Sequence, residues 1–489
     1  MTAPSGRRTP SRPAGEDDAP DRHDGPDAHD GPDGPAGPDR HEGPGRADRR
    51  AVWWPPAERR RRVDLVAIVL IVVAAVVGTV LVLRVGDESA TSLRPATPPL
   101  APASTGPVPT ALVPVWRAAD PVGAPPGAHL LGGPTAQGPA VAVGRDDPDG
   151  SGVVTGLDAV TGAPAWEYRR PEPLCTLGSG FGEVIALYRT TSPLGTFCSD
   201  VATIDPSTGQ RGPSRSADVR PGTRLLADGS HVVATGRDYL EVWRDDLVAT
   251  LEYGALPTPV QSTPEPRASC PRSSVAAGAD AVAVLERCPG ETSDRLSVMT
   301  DSPAEYDKPE DRFSVLSGVS GGRLVAVAND RTALEAPDGT LRIYDGAGTP
   351  IGTAALGPAV GPVARAAQET GTDPPGQQTG VRLAGPVLLW WTGTATVGLD
   401  PSTLLPRWTL PNTLGPGAAV SSDVLGAPTT VLVPVPGGLA VVDGATGTPR
   451  PTIPVDRGAD PPGPVGVEVV GTTVVEQRGV TVVGLRPPR

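Results

Sequence analysis

From residue 113 to its end, the sequence predicts an all-β chain, and three observations predict it. Val, Ala and Leu occur in short runs of four to seven residues, separated by turns of Gly, Pro, Asp and Ser. No 3.6-residue period is sustained across these runs, so each reads as a strand. Gly and Pro number 61 each among 489 residues, about twice ordinary usage. With no Gly-X-Y period this excludes collagen, and a long helical bundle cannot hold helix breakers at such density. Aromatic residues make up only 3%, so the core is expected to consist mainly of Val, Leu and Ala.

The elements before residue 113 follow in order. Residues 1–62 repeat Asp-Gly-Pro and contain no apolar run, which predicts a disordered tail. His23, His29 and His41 stand among its carboxylates at spacings that match no metal-ligand motif. Residues 63–84 are expected to form a transmembrane signal-anchor helix. Leu65 to Leu83 is 19 residues without a charge, and at 1.5 Å per residue it spans roughly 28 Å. Arg59, Arg60, Arg61 and Arg62 precede it, with Trp53 and Trp54 placed for the cytoplasmic interface. The positive-inside rule then puts the N-terminus in the cytoplasm and the remainder outside, as a single-pass protein of the cell membrane. A cleaved signal peptide is disfavoured by the length of the run and by the charged sequence after Arg84. Residues 85–112 carry Pro95, Pro98, Pro99, Pro102, Pro107 and Pro109 and are read as an extended stalk.

Within residues 113–489 one pattern recurs. A strand ends on Asp, a small turn often containing Thr-Gly follows, and a second strand often carries an aromatic. The clearest copy runs from Val153 through Asp158 and Gly162 to Trp166. Others centre on Asp205 with Gly209, Asp345, Asp400 with Trp408, and Asp443 with Gly447. Weaker copies fall at Asp245, with Tyr253 in the aromatic place, and at Asp301. A truncated copy ends the chain at Arg486. Successive anchors lie 40 to 56 residues apart, the period of a four-stranded blade, so the fold is expected to be a β-propeller of eight blades, or seven. Asp is expected to cap its own turn through backbone N–H groups, and Gly to supply positive φ there.

Leu157 to Trp166 resembles the pyrroloquinoline-quinone-type repeat. That repeat builds eight-bladed propellers in quinoprotein alcohol dehydrogenases and in the non-enzymatic BamB-like envelope proteins, and the resemblance extends over roughly residues 113–489. It implies that Trp166 and Trp408 dock one blade on the next, with Tyr253 as a substitute. Trp116 looks like an outer-strand tryptophan without its preceding strands. Residues 113–119 are therefore expected to complete the last blade and close the ring.

The formal charge of −13 makes nucleic acid a poor partner. Quinoprotein chemistry implies adjacent cysteines and a Ca²⁺ site, and neither is assignable here, so no cofactor, catalytic residue or metal ligand is expected. His129 and His231 read as loop or edge residues, Gly178–Gly182 as turns, and Trp390-Trp391 as strand residues pointing to opposite sheet faces. The four cysteines allow three pairings. Blade topology selects Cys175–Cys198 and Cys270–Cys288, because the start of strand one, the end of strand two and the start of strand three share a rim. A Cys₄ zinc site is the alternative. The functional expectation is a non-enzymatic, extracytoplasmic binding or scaffold module for a protein or envelope component. A quinone-dependent dehydrogenase and an extracytoplasmic sensor are the alternatives.

Overall fold

The computed structural model describes residues 57–85, 91–122, 134–255, 267–357, 381–420, 429–458, 460 and 463–488, with side chains of the first segment described over 65–79. The predicted tail lies outside the described residues up to residue 56, as does His129. An α-helix spans Ala57–Val85. It begins earlier than the apolar run because Ala, Glu and four arginines are good helix formers. Its described apolar side chains, Leu65 and Ile71 among them, are exposed. Among the described residues no helix is long and apolar enough to cross a membrane.

The described residues from Val113 onward form eight antiparallel sheets of four strands, each built from consecutive strands except the last. The third strands show why the runs read as continuously apolar. Gly152–Asp158 is buried at nearly every position, because a sheet between two neighbouring sheets is covered on both faces. Eight separate clusters of Val, Ala, Leu and aromatic side chains fill the eight joints between successive blades, blade 8 to blade 1 included. In each blade the turns between strands one and two and between strands three and four share one rim, here the turn rim. The turns between strands two and three and the links between blades share the other, the link rim.

Blade 8 takes Val465–Val470, Thr473–Arg478 and Thr481–Arg486 from the C-terminal end. Its fourth strand is Val113–Ala119, antiparallel to Thr481–Arg486, with Val113 opposite Arg486 and Ala119 opposite Thr481. The ring is closed by its two ends.

Residues 91–112 are no free stalk. Ser92–Arg94 pairs with Pro164–Arg170 and adds a fifth strand to blade 1. Ala96 N and Leu100 N then donate to Thr208 O and Ser207 O, both at 2.9 Å. Val108 packs and Leu112 is buried at the joint of blades 7 and 8. Proline keeps this segment extended, and the apolar residues spaced between prolines give it something to bury. Composition alone showed the first property and hid the second.

Candidate functional site

The turn rim is where the repeat residues act. Asp158 Oδ1 accepts hydrogen bonds from Val160 N at 2.9 Å and Thr161 N at 2.7 Å. Asp205 Oδ1 accepts from Ser207 N and Thr208 N, Asp345 from Ala347 N and Thr349 N. Asp400 and Asp443 repeat the arrangement. In the third blade the cap falls on Asp246, whose Oδ1 receives Val248 N at 3.0 Å, one residue beyond the expected Asp245.

Each outer-strand tryptophan crosses to the turn of the following blade. Trp116 Nε1 donates to Ala159 O at 3.0 Å, Trp166 Nε1 to Pro206 O at 2.8 Å and Trp408 Nε1 to Gly444 O at 2.9 Å. The rings lie against Gly162, Gly209 and Gly447, all at positive φ. A Cβ on any of these glycines would come within 2.4 to 2.5 Å of the ring-bearing side chain. A second glycine lies under each ring, in the strand paired with it: Gly156, Gly398 and Gly484, where a Cβ would sit 1.9 to 2.2 Å from the indole. Each is followed by a leucine near the end of its strand, in Gly156-Leu157-Asp158, Gly398-Leu399-Asp400 and Gly484-Leu485-Arg486. The repeated Gly-Leu was the signal that could have predicted them.

Two aromatic assignments change. Tyr253 stands opposite Leu240, while Leu251, opposite Val242, holds the place that Trp166 holds opposite Gly156. The turn of blade 3 is one residue shorter, so counting from Asp245 overshoots. The Tyr253 hydroxyl instead donates to buried Glu286. Blade 4 does carry an aromatic: Phe313, opposite Val298, lies against Gly348 of blade 5. Trp390 is buried at the joint of blades 5 and 6, whereas Trp391 is half-buried and donates to Thr413 O at 3.3 Å.

The link rim is stapled and ionic. Cys175 and Cys198 are bridged within blade 2 at a Cα separation of 5.8 Å, and Cys270 and Cys288 within blade 4 at 4.4 Å. Cys198 lies inside its strand, not before it, because the second and third strands of blade 2 extend to ten residues each. Buried Glu335 pairs with Arg323, and buried Glu476 with both Arg457 at 2.8 Å and Arg478 at 2.7 Å. Arg457 also donates to Val435 O and Gly438 O. It forms part of a cleft of about 650 Å³ between blades 7 and 8, lined by Leu414, Pro436, Pro454, Val455 and Gly463. With Arg457 committed to Glu476 and two carbonyls, this cleft offers apolar area and the exposed carboxylate of Asp456, whose Oδ1 accepts from Gly458 N at 2.8 Å.

Blade 3 holds a pH-sensitive pair. Glu252 is directly opposite Glu241. Burial, and then the charge of Glu241, push the Glu252 carboxyl up to about 7. A group raised in the folded state gives its full stability below its unfolded pKa, about 4.3, and loses it as pH rises toward 7. The turn aspartates have the opposite sign. Backbone hydrogen bonds from Thr349 and from Thr446 hold Asp345 and Asp443 below the usual range. At Asp205, burial opposes the shift, but the Ser207 and Thr208 hydrogen bonds outweigh it. Their contribution is present above about pH 4 and lost as pH falls through their lowered values. Thermal melting against pH is therefore expected to peak between about 4 and 6. Glu252→Gln should raise the melting temperature at pH 8 and leave it unchanged at pH 4; equal effects at both would refute the assignment.

No family profile and no curated protein matches this chain. Solved structures similar to it include BamB from Moraxella catarrhalis, at 12% identity and TM-score 0.42 over 77% of this chain and 99% of that one. The C-terminal WD40 domain of Sif2 is 10% identical with TM-score 0.41 over 78% and 100%. The computationally designed Ika8 protein is 13% identical with TM-score 0.41 over 75% and 99%.

Proposed function

We propose that this protein is a membrane-anchored, extracytoplasmic β-propeller that acts as a binding or scaffold module for a protein or cell-envelope component. The observation that carries the binding reading is the cleft between blades 7 and 8 on the link rim. Arg457 in its lining is fixed by Glu476 and by the carbonyls of Val435 and Gly438, which limits the ordering that binding there would cost. The anchor rests on the sequence alone: the 19 uncharged residues Leu65 to Leu83, preceded by four consecutive arginines.

A photo-crosslinking side chain at Pro454 or Gly458 of the full-length protein, in its native membranes, should give a discrete adduct. The same group at Tyr306, exposed on the turn rim of blade 4, should not. Adducts from Tyr306 alone, or from none of the three, count against the cleft. Separately, the full chain should stay with membranes in alkaline carbonate, and a reporter active only outside the cytoplasm should work when fused after Arg489. Activity solely from a cytoplasmic reporter there would overturn the topology.

A further inference from the structure

Asp228, His231 and Asp301 meet on the turn rim at the joint of blades 3 and 4, each offering one ligand atom within 4.8 Å of the others. Asp228 and His231 belong to the turn between Leu225–Ala227 and Val232–Ala234 of blade 3. Asp301 follows Arg295–Thr300 of blade 4.

We propose that these three residues bind a divalent cation of the zinc class, which ties blade 3 to blade 4. Four features of the site support this. Asp301 is only 4% exposed, and its buried Oδ2 forms no hydrogen bond although His231 Nδ1 is 2.9 Å away. A buried carboxylate oxygen without a donor is costly, and a cation removes that cost. Second, His231 Nε2 lies 3.0 Å from Ser302 Oγ. With that nitrogen donating to the hydroxyl, Nδ1 keeps its lone pair, with Asp301 Oδ2 at 2.9 Å and Ser230 Oγ at 3.2 Å beside it, and a metal-bound imidazole is fixed by such an outer hydrogen bond. Third, Asp228 Oδ1 is occupied by Ser230 N, Ser230 Oγ and His231 N. Those bonds hold the turn rigid and leave Oδ2 as the ligand. Fourth, the spacing fits. Zinc bonds of 2.0–2.2 Å at tetrahedral angles place ligand atoms ~3.3 Å apart, close to the separation already present between Nδ1 and Oδ2.

One imidazole and two carboxylates form a mixed N/O donor set that suits Zn²⁺ better than the all-oxygen shells of Ca²⁺ or Mg²⁺. Asp228 and His231 are only half-buried, so water can complete the coordination. The location supplies a structural purpose. At this joint the docking position holds Leu251 in place of a tryptophan, so blade 3 lacks the indole hydrogen bond that fastens blades 8, 1 and 6 to their successors. Thr250 Oγ1, which donates to Asp301 O at 2.7 Å, crosses the same joint.

The test uses the full chain carrying His23→Ala, His29→Ala and His41→Ala, which removes the other histidines that stand among carboxylates. After chelation and dialysis, Zn²⁺ should bind with one equivalent, and Co²⁺ should give the visible absorption of a tetrahedral site. At a hundredfold excess over Kd, Zn²⁺ should raise the melting temperature by about 3 °C. His231→Gln should abolish the equivalent, the absorption and the shift. Asp228→Asn keeps an Oδ1 acceptor for the turn, so it should fold normally while weakening binding at least tenfold. Absence of one-equivalent binding, or binding retained in His231→Gln, overturns the proposal. So does a melting temperature indifferent to bound Zn²⁺, because a cation at this joint must stabilise the ring.

Discussion

A chain beginning at Asp120 is expected to lose its ring and to aggregate, where a chain beginning at Leu112 stays monomeric. The shorter chain lacks Val113–Ala119, whose six register partners span the whole of Thr481–Arg486. The backbone hydrogen bonds of that pairing contribute about 1 kcal/mol each. Trp116, buried against Val141, Leu157 and Val482, contributes about 3–5 kcal/mol by the usual cost of deleting a large core aromatic. Together these approach the whole stability of a typical domain. The loss also uncovers Val482, Val483 and Leu485, fully buried in the closed ring, along an unpaired strand edge, the arrangement that templates association between chains. Size-exclusion chromatography and urea unfolding decide the matter. Equal midpoints and a monomeric short chain would show that some other contact closes the ring.

Removing one docking tryptophan is the next largest effect. Trp166→Ala should lower stability by about 3–5 kcal/mol. It empties the space between Gly156 and Gly209 and leaves Pro206 O without its indole donor. Gly156→Val should cost a similar amount from the opposite direction. A Cβ at residue 156 would stand 1.9 Å from Trp166 Cε2, so the indole must leave its place. The double variant is the sharper test. With the ring gone, a valine at 156 has room, so the double variant should be less destabilised than the sum of the two by at least about 1 kcal/mol. Additive effects in denaturant titrations would mean that the two residues do not share one space, and the docking scheme would fail.

The features that were legible in advance are those set by local chemistry and by period. An Asp followed by small residues and Gly caps a turn wherever it occurs, so the copies at Asp158, Asp205, Asp345, Asp400 and Asp443 needed no tertiary information. A spacing of 40 to 56 residues implies a unit of four strands. A final copy without its outer strand implies that the missing strand comes from the other end, and Trp116 marked it. The disulfides followed from the same logic, because blade topology fixes which strand ends share a rim.

Where the register slipped, the sequence stopped being a guide. The turn of blade 3 is one residue shorter than that of blade 1, and Asp245 stands one place farther past its strand position than Asp158 does; together these move the docking position by two residues, from Tyr253 to Leu251. Residues 91–112 were misread for a related reason. Their prolines predict an extended chain in isolation, but only the ring presents the edge of Pro164–Arg170 and the turn carbonyls of Ser207 and Thr208 on which that chain can lie. His231 and Asp301 are some seventy residues apart in the sequence and belong to different blades. Each reads singly as a loop residue, and no spacing rule links them. Their meeting is decided by the angle at which blade 4 follows blade 3, which is set by the packing of Val233, Val242, Leu251, Val282 and Val284 in the joint. Period and turn chemistry determine what each blade is; the side chains filling the joints decide which residues of neighbouring blades face one another.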